Sequence, residues 1–207
     1  MQIDPTVFLV DDDDGVRASI TRLLTASGLH VRSFASAQEF LADSDRDGPG
    51  CLVLDLRMPE IDGLELQEAL RDGDSTQPII FLTGHGGVPE SVAAMKAGAT
   101  DFFEKPAEPS ELLAAVDRAI ALDARQRGEK LELGDLERRL HTLTPREREV
   151  FERVVAGRLN KQIAYELGVS EKTVKVHRGR VMEKMETSSL AELARLAERL
   201  GVGVELT

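Results

Sequence analysis

The chain has little cysteine and no long apolar run, and each absence excludes a class of protein. Its 207 residues include one cysteine, Cys51, inside the apolar run "CLVLD", so neither a disulfide framework nor a cysteine zinc site is expected. No stretch of eighteen apolar residues occurs, so no transmembrane helix is expected. The first residues, "MQIDPTVF", lack the basic region and apolar block of a signal peptide. We therefore expect a cytoplasmic protein with no membrane partner.

Acidic residues outnumber basic ones, and the excess is unevenly placed along the chain. The net charge is −11. Residues 1–120 hold 9 Lys and Arg against 22 Asp and Glu, whereas residues 121–207 hold 17 against 15. Residues 158–184 are locally basic, with seven basic and three acidic residues. This asymmetry suggests two partners of different charge, one of them a nucleic acid.

The first 120 residues alternate short apolar runs with amphipathic helical patterns. The apolar runs are "TVFLV", "HVRSF", "CLVLD", "PIIFLT" and "TDFF". Short strands separated by helices predict parallel pairing with right-handed crossovers. The pattern therefore predicts an α/β fold, a five-stranded doubly wound parallel sheet with helices on both faces. Such sheets bind their ligands beyond the carboxyl ends of the strands, where the strand order reverses.

A charged connector follows this region. Leu133, Leu136, Leu140 and Leu143 are spaced by three, four and three residues, as in a short coiled-coil stripe or the inner face of a helix. Gly128 and Gly134 each weaken a helix by about 1 kcal/mol relative to alanine. We therefore predict an interrupted helical linker.

From residue 144 the pattern is wholly helical. The predicted helices run approximately over 145–156, 160–167, 171–186 and 190–200. "TPRE", from Thr144, is a capping box with proline at the first helical position. Asn160 and Ser170 are predicted to cap the second and third helices. The short break between those two helices, "GVS", favours a helix-turn-helix.

Four consecutive carboxylates follow the first predicted strand, in "TVFLVDDDDGVR". Their mutual repulsion must be offset by a metal, a helix terminus or water. Asp11 and Asp12 end the first strand and Asp55 ends the third. Thr83 ends the fourth strand, and Lys105 follows the fifth. Carboxylate oxygens suit Mg²⁺, and a carboxylate can act as a nucleophile that forms an aspartyl phosphate. The hydroxyl and ammonium groups can bind phosphate oxygens.

The acidic segments also resemble two other kinds of site. The stretch from Asp12 to Val16 also fits the D-x-D-G-[TV] loop of haloacid-dehalogenase-type phosphatases, but that enzyme class leaves Asp55 and the helical region without a role. "DSDRDG", from Asp43, imitates the first half of an EF-hand loop. Its twelfth position would be Leu54 instead of a bidentate glutamate, so a solvated turn is predicted. His85, alone among glycines, is predicted to be a loop residue.

Five motifs together resemble a bacterial two-component response regulator of the FixJ/NarL type. They are "VDDDDGVR", "LDLRMPEIDG", "FLTGHGGVP", "MKAGATDFFEKP" and "LTPREREVFERVVAGRLNKQIAYELGVSEKTVKVHRGRVMEKM". The resemblance covers nearly the whole chain except the linker and the last few residues. It implies a flavodoxin-like receiver domain at 1–122, a helical linker at 123–141 and a LuxR-type, four-helix helix-turn-helix domain at 142–207. The implied partners are a sensor histidine kinase and double-stranded promoter DNA.

The resemblance also implies roles for single residues. Asp55 would be the phosphoacceptor, Thr83 and Lys105 would sense the phosphate, and Phe102 would be the aromatic switch residue. The ligands of Mg²⁺ would be Asp11, Asp12, Asp55 and the backbone carbonyl of Arg57. The Lys105–Pro106 bond is often cis in such receivers. Ala107 stands where many receivers have phenylalanine, which implies weaker packing at the start of the last receiver helix.

The third C-terminal helix is predicted to be the recognition helix, with Val174, Val181 and Met185 buried. Lys175 and Val176 lie on the opposite face and are expected to meet base edges. Arg178 and Lys161 are expected to meet phosphates. The full set of predicted DNA contacts is Lys161, Lys172, Thr173, Lys175, Val176, Arg178 and Gly179. Gly179 either allows close approach of DNA or reads no base. The alternative is a helical domain that binds another protein.

We therefore predict a phosphorylation-controlled transcription factor and not an enzyme. Phosphorylation is expected to produce a homodimer. The apolar and small residues of the fourth and fifth helices are more than one core face requires, and part of that surface is predicted to be a switchable dimer interface. These residues are Val92, Met95 and Ala99 on the fourth helix and Leu112, Val116 and Ala119 on the fifth.

Overall fold

The structure, a computed structural model, describes residues 4–73, 75–84 and 88–202. The chain divides into two compact units, Met1–Arg127 and Gly128–Thr207. His85, predicted to be a loop residue, lies outside the described residues. Within the described ranges, no helix is both long and apolar enough to cross a membrane.

Strands and helices alternate through the first unit, as the sequence predicts. The elements are β1 (Thr6–Val10), α1 (Asp14–Ala26), β2 (His30–Phe34), α2 (Ala37–Ala42), β3 (Gly50–Leu54), α3 (Gly63–Asp72), β4 (Ile79–Thr83), α4 (Val88–Lys96), β5 (Asp101–Glu104) and α5 (Pro109–His141). The last helix, α5, continues beyond the boundary between the units.

The five strands form one parallel sheet in the order β2-β1-β3-β4-β5. Every residue of β3 and β4 is buried, as expected for central parallel strands that are covered by helices on both faces. The strand order reverses between β1 and β3, where the ligand site of such a sheet is expected. The predicted doubly wound fold is confirmed.

Side chains of one strand alternate between two cores, one on each face of the sheet. In β1, Phe8 and Val10 belong to the core that includes α2 and α3, whereas Val7 and Leu9 belong to the core that includes α1 and α5. The period-two alternation of a strand places successive side chains on opposite faces. Both faces are therefore closed by helices.

The predicted dimer surface is wrong for most of its residues. Leu112, Val116 and Ala119 of α5 pack on the sheet and are buried, because the helix directs this apolar stripe inward. Ala99 lies beyond α4, which ends at Lys96, and it is also buried. Val92 and Met95 of α4 remain exposed, at 44% and 47%.

The interrupted linker is also contradicted, because α5 runs unbroken through Gly128 and Gly134. A Cβ at either glycine would meet nothing within 4 Å, so no close packing requires glycine there. Two such glycines cost the helix only about 2 kcal/mol together. Ion pairs along the same helix act in the opposite direction, such as Arg139 with Asp135 at 2.6 Å.

The second unit contains the end of α5 and four shorter helices. They are α6 (Pro145–Val155), α7 (Asn160–Leu167), α8 (Glu171–Lys184) and α9 (Leu190–Arg199). Leu140, at the end of α5, and Leu143, just beyond it, join the buried core of this unit. The leucine spacing therefore marks the inner face of a helix.

Two of the helix caps that the sequence predicts in the second unit are present in the structure, and a third is not. Thr144 and Glu147 form the predicted capping box of α6. Ser170 accepts a hydrogen bond from the backbone N–H of Thr173, as predicted. Asn160 does not cap α7, because it is the first residue of that helix and an N-cap must precede the first residue. The N-cap is Leu159.

Candidate functional site

Two buried carboxylates, Asp11 and Asp55, lie at the carboxyl edge of the sheet. They follow the ends of β1 and β3, which pair through Val10 and Leu54. The backbone N–H of Asp55 donates to the carbonyl of Val10 at 2.8 Å and fixes the chain after β3. Asp12 is exposed beside them, and one oxygen from each of the three carboxylates lies within 4.8 Å of the others. The predicted convergence is therefore present.

The ammonium group of Lys105 lies between the two buried carboxylates. Its Nζ is 2.7 Å from Oδ2 of Asp11 and 2.9 Å from Oδ2 of Asp55. Burial opposes its charge, but the hydrogen bonds to both carboxylates outweigh that effect and raise the pKa of Lys105. Burial raises the pKa of Asp11, although Lys105 acts in the opposite direction. The Lys105–Pro106 bond is cis.

The other two carboxylates of the acidic run begin α1. Asp13 is the N-cap, and its Oδ1 accepts hydrogen bonds from the N–H groups of Gly15 and Val16 at 2.8 and 3.0 Å. The N–H groups of Val16 and Gly15 also lower the pKa of Asp13. Asp14 lies in the first turn, where the helix dipole favours negative charge. The run of four carboxylates is thus divided between a ligand site and a helix terminus.

The loop after β3 is packed closely against the first turn of α3. The N–H of Gly63 donates to the carbonyl of Leu56 at 2.9 Å. A Cβ at Gly63 would lie 2.4 Å from the carbonyl oxygen of Asp55 and 2.9 Å from the Phe81 ring. Only glycine fits here, so this contact fixes the backbone at Asp55.

Thr83 and Phe102 belong to the two strands beyond β3. Thr83 is the buried last residue of β4, and its carbonyl accepts a hydrogen bond from the N–H of Lys105 at 2.7 Å. Phe102 in β5 is half-buried, with its ring centroid 6.3 Å from that of Phe81. Thr83 and Lys105 lie at the same sheet edge as Asp55. Of these two residues, Lys105 is the one whose contact with Asp55 is described.

Arg57 follows Asp55 by two residues and connects the site to α4. Its backbone N–H donates weakly to Oδ1 of Asp55, at 3.4 Å. Its side chain forms an ion pair with Glu90 of α4, with Nη2 and Oε1 2.6 Å apart. The sequence contained no signal for Glu90, because the two residues are far apart in the chain and only the fold brings them together.

A cavity of about 540 Å³ adjoins Lys105. Its wall includes Val16, Ile20 and Leu23 of α1, together with Ala107. A larger residue than alanine at this position would occupy part of that space. The cavity is consistent with the weaker packing that the sequence predicts at the start of α5.

The set of groups at the sheet edge matches the requirements of phosphoryl uptake. Buried Asp55 offers a carboxylate nucleophile, and Lys105 supplies a positive charge that can bind phosphoryl oxygens. The three carboxylates offer the hard oxygen ligands that Mg²⁺ prefers.

The second unit presents a helix-turn-helix made of α7 and α8. Gly168 ends α7 with a φ of +66°, a left-handed conformation that favours glycine and turns the chain sharply. The predicted stripe of Val174, Val181 and Met185 is buried, which confirms the orientation of α8. The predicted contact residues that are exposed are Lys161, Lys172, Lys175, Val176 and Gly179.

Two predicted contact residues are already bonded within the unit. Thr173 is half-buried, and its hydroxyl lies 2.9 Å from that of Ser170. Arg178 is half-buried, and its Nη1 donates to Oδ1 of Asn160 at 3.2 Å. The sequence reasoning missed Arg180, an exposed basic residue four positions after Val176 and therefore on the same face.

Comparisons with known proteins agree with both parts of this picture. A family model described as "Response regulator receiver domain" matches residues 7–117, and one described as "Bacterial regulatory proteins, luxR family" matches residues 141–197. The chain belongs to the two-component response regulators. It is a transcriptional regulator that combines a receiver with a LuxR-type DNA-binding domain.

Relatives of this regulator match along almost their whole length. The transcriptional regulatory protein FixJ of Rhizobium meliloti (strain 1021) is 46% identical over 200 residues, which cover 97% of this chain and 98% of FixJ. The response regulator protein TodT of Pseudomonas putida is 44% identical over 199 residues, 96% of this chain and 88% of TodT. The solved structure of the response regulator StyR matches with a TM-score of 0.85 at 45% identity, covering 95% of this chain and 100% of that one.

Proposed function

We propose that Asp55 accepts a phosphoryl group from a sensor histidine kinase and that this modification controls binding of promoter DNA. The observation that carries the proposal is the position of the Lys105 ammonium, bonded to both Asp11 and Asp55 at the switch point of the sheet. A buried carboxylate beside a fixed cation and next to two further carboxylates supports assignment of Asp55 as the acceptor.

The proposed reaction moves one phosphoryl group. A carboxylate oxygen of Asp55 attacks the phosphorus of a kinase phosphohistidine, so that a P–O bond forms while the P–N bond breaks and its electron pair returns to the imidazole. Lys105 and the hydroxyl of Thr83 bind the phosphoryl oxygens as they arrive. We propose that the phosphoryl group stays on Asp55, so that the chain acts as a regulator and not as a phosphatase.

The acidic cluster fits a Mg²⁺ ion. Asp11, Asp12 and Asp55 each present an oxygen within 4.8 Å of the others, and no nitrogen or sulfur ligand lies among these three groups. We propose that these carboxylates and the backbone carbonyl of Arg57 hold the ion. When bound, Mg²⁺ neutralises negative charge on the phosphoryl oxygens and the carboxylates.

The output is proposed to pass through the face formed by α4, β5 and α5. Phe102, half-buried in β5, is the proposed switch residue. Val92 and Met95 are exposed on α4 and are the remaining apolar residues of the proposed homodimer interface. We assign the receiver to residues 1–122, the linker to 123–141 and the DNA-binding domain to 142–207.

The proposed DNA interface is the exposed face of α8. Lys175 and Val176 read base edges in the major groove. Lys161, which lies on α7, binds a phosphate of the DNA backbone. Arg178 binds a phosphate while Asn160 holds its guanidinium group. The other proposed contacts are Lys172, Thr173 and Gly179. A regulator that binds chromosomal DNA works in the cytoplasm of a bacterium.

The test is uptake of phosphate from a small phosphodonor with Mg²⁺ present, followed by intact-mass measurement. The wild type is expected to gain the mass of one phosphoryl group. Asp55→Asn should gain none, because an amide is not a nucleophile here. Asp72→Asn, an exposed residue at the end of α3, is the matched control and should behave like the wild type. If the Asp55→Asn protein still gained one phosphoryl group, the acceptor would be a different residue.

A further inference from the structure

The ion pair between Arg57 and Glu90 joins the loop that follows Asp55 to helix α4. The two atoms, Nη2 of Arg57 and Oε1 of Glu90, are 2.6 Å apart. Arg57 belongs to the loop between β3 and α3, whereas Glu90 lies in the first turn of α4. The pair therefore links the proposed phosphoacceptor site to the helix that carries exposed Val92 and Met95.

Helix α4 is held lightly along its length. It has nine residues, and Ala94 is the buried one among those whose side chains are described. Gln67 of α3 also contacts α4, since its Nε2 donates to the carbonyl of Ala94 at 3.3 Å. An element with so little buried apolar surface can shift or open at low cost in free energy. Polar contacts such as the Arg57–Glu90 pair therefore matter more for this helix than for one with a wide apolar face.

The pair is weak enough to be broken by a stronger anion. The side chain of Arg57 is 65% exposed and that of Glu90 is 32% exposed, so solvent screens their attraction. A phosphoryl group carries about −1.5 to −2 charge near neutral pH and offers three acceptor oxygens. It would appear on Asp55, two residues from Arg57, and a guanidinium group binds phosphoryl oxygens in a bidentate contact.

We propose that the Arg57 side chain exchanges partners, from Glu90 at rest to the phosphoryl group on Asp55, and thereby releases α4. Arg57 thus has a second role beyond its backbone carbonyl: its side chain recognises the modified aspartate, and Glu90 positions that side chain beforehand. This inference rests on the proposed phosphorylation of Asp55.

The test follows amide hydrogen exchange of α4 in the full chain, with and without beryllofluoride as the phosphoryl mimic. In the wild type, the mimic should speed exchange in α4. At rest, Glu90→Gln should speed exchange in α4 by about two- to fivefold, the effect of losing one exposed ion pair. Glu68→Gln is the matched control. It removes a glutamate of the same charge from the exposed Arg71–Glu68 pair on α3 and should leave α4 unchanged.

Exchanging the two charges separates partner exchange from a merely structural ion pair. The double variant Arg57→Glu, Glu90→Arg should restore slow exchange in α4 at rest, because the pair forms again with reversed charges. Its α4 should not respond to beryllofluoride, since the carboxylate introduced in place of the guanidinium group would be repelled by the mimic. A double variant that responds like the wild type would overturn the proposal, as would resting exchange in Glu90→Gln equal to that of the wild type. A wild-type protein that takes up no phosphoryl group at Asp55 would instead contradict the proposed function.

Discussion

At the scale of single residues, two basic side chains of α8, Lys175 and Arg178, differ in their surroundings. Lys175 is exposed on the face opposite the buried stripe, next to Val176. Arg178 is half-buried, and its guanidinium group is held by Asn160 of α7. A fixed arginine at the junction of two helices suits a phosphate, whereas an exposed lysine on the outer face can enter the major groove.

This difference predicts two kinds of effect on DNA binding. Lys175→Ala should cost roughly 1–3 kcal/mol at the preferred site and relax its sequence preference. Arg178→Ala should weaken all sequences about equally and lower the log–log salt slope by roughly one unit. Titrations of preferred and scrambled duplexes at several salt concentrations measure both, with Arg71→Ala in the receiver as the control for lost positive charge. Equal weakening of both duplexes by Lys175→Ala would show that this lysine contacts phosphate.

The residue-scale predictions succeeded where a residue's place follows from its strand. Asp11, Asp55 and Lys105 converge because parallel strands bring their carboxyl ends to one edge, and that rule can be applied to a sequence. The partners of Arg57 and Arg178 could not be predicted in the same way. A long side chain can reach several neighbours. The pairing of Arg57 with Glu90, and of Arg178 with Asn160, depends on how the helices pack.

At the scale of elements, one buried carboxylate fastens α6 to α8. Glu147 is 2% exposed, and it completes the capping box of α6 by accepting from the N–H of Thr144 at 2.9 Å. It also accepts a hydrogen bond from Nζ of Lys184, at 2.6 Å. Lys184 and the backbone N–H of Thr144 lower the pKa of Glu147 from its ordinary value of 4.5 to about 2. The sequence predicted the capping box and not the contact with α8.

The lowered pKa predicts how this junction responds to acid. A carboxyl with a depressed pKa stabilises the folded state above its ordinary pKa, and that stabilisation is lost as the pH falls from about 4.5 towards 2. Glu147→Gln should therefore destabilise the junction by roughly 1–3 kcal/mol at neutral pH and by less at pH about 3. Amide exchange of α6 and α8 in the full chain measures this. A destabilisation that stayed constant over this pH range would contradict the assignment of the depressed pKa to Glu147.

Element boundaries were predicted well in the receiver and less well in the linker. Apolar runs bounded by turns gave all five strands, because burial on both faces leaves a strong signal in β3 and β4. The glycines of α5 were misleading, since Gly128 and Gly134 are exposed or half-exposed positions in a helix that ion pairs support. Helical propensity is a weak predictor when the cost of a glycine is only about 1 kcal/mol.

At the scale of the whole molecule, the charge asymmetry matches the different functions of the two units. The acidic excess lies in the receiver, where three carboxylates form the proposed Mg²⁺ site. The locally basic segment contains α7 and α8, which form the helix-turn-helix. The proposed dimer surface could not be placed from the sequence, because an apolar stripe on a helix looks the same whether it faces a core or a partner.

The central claim is that phosphorylation of Asp55 controls DNA affinity, and the most direct test is a pair of dissociation constants. Duplexes selected from a random pool by the phosphorylated protein would be titrated at one fixed salt concentration, with phosphorylated and unphosphorylated protein. A coupling free energy of about 1–3 kcal/mol predicts that phosphorylation tightens binding by roughly 5- to 150-fold, and that Asp55→Asn treated in the same way shows no change. Equal dissociation constants for the two forms of the wild type would contradict the account.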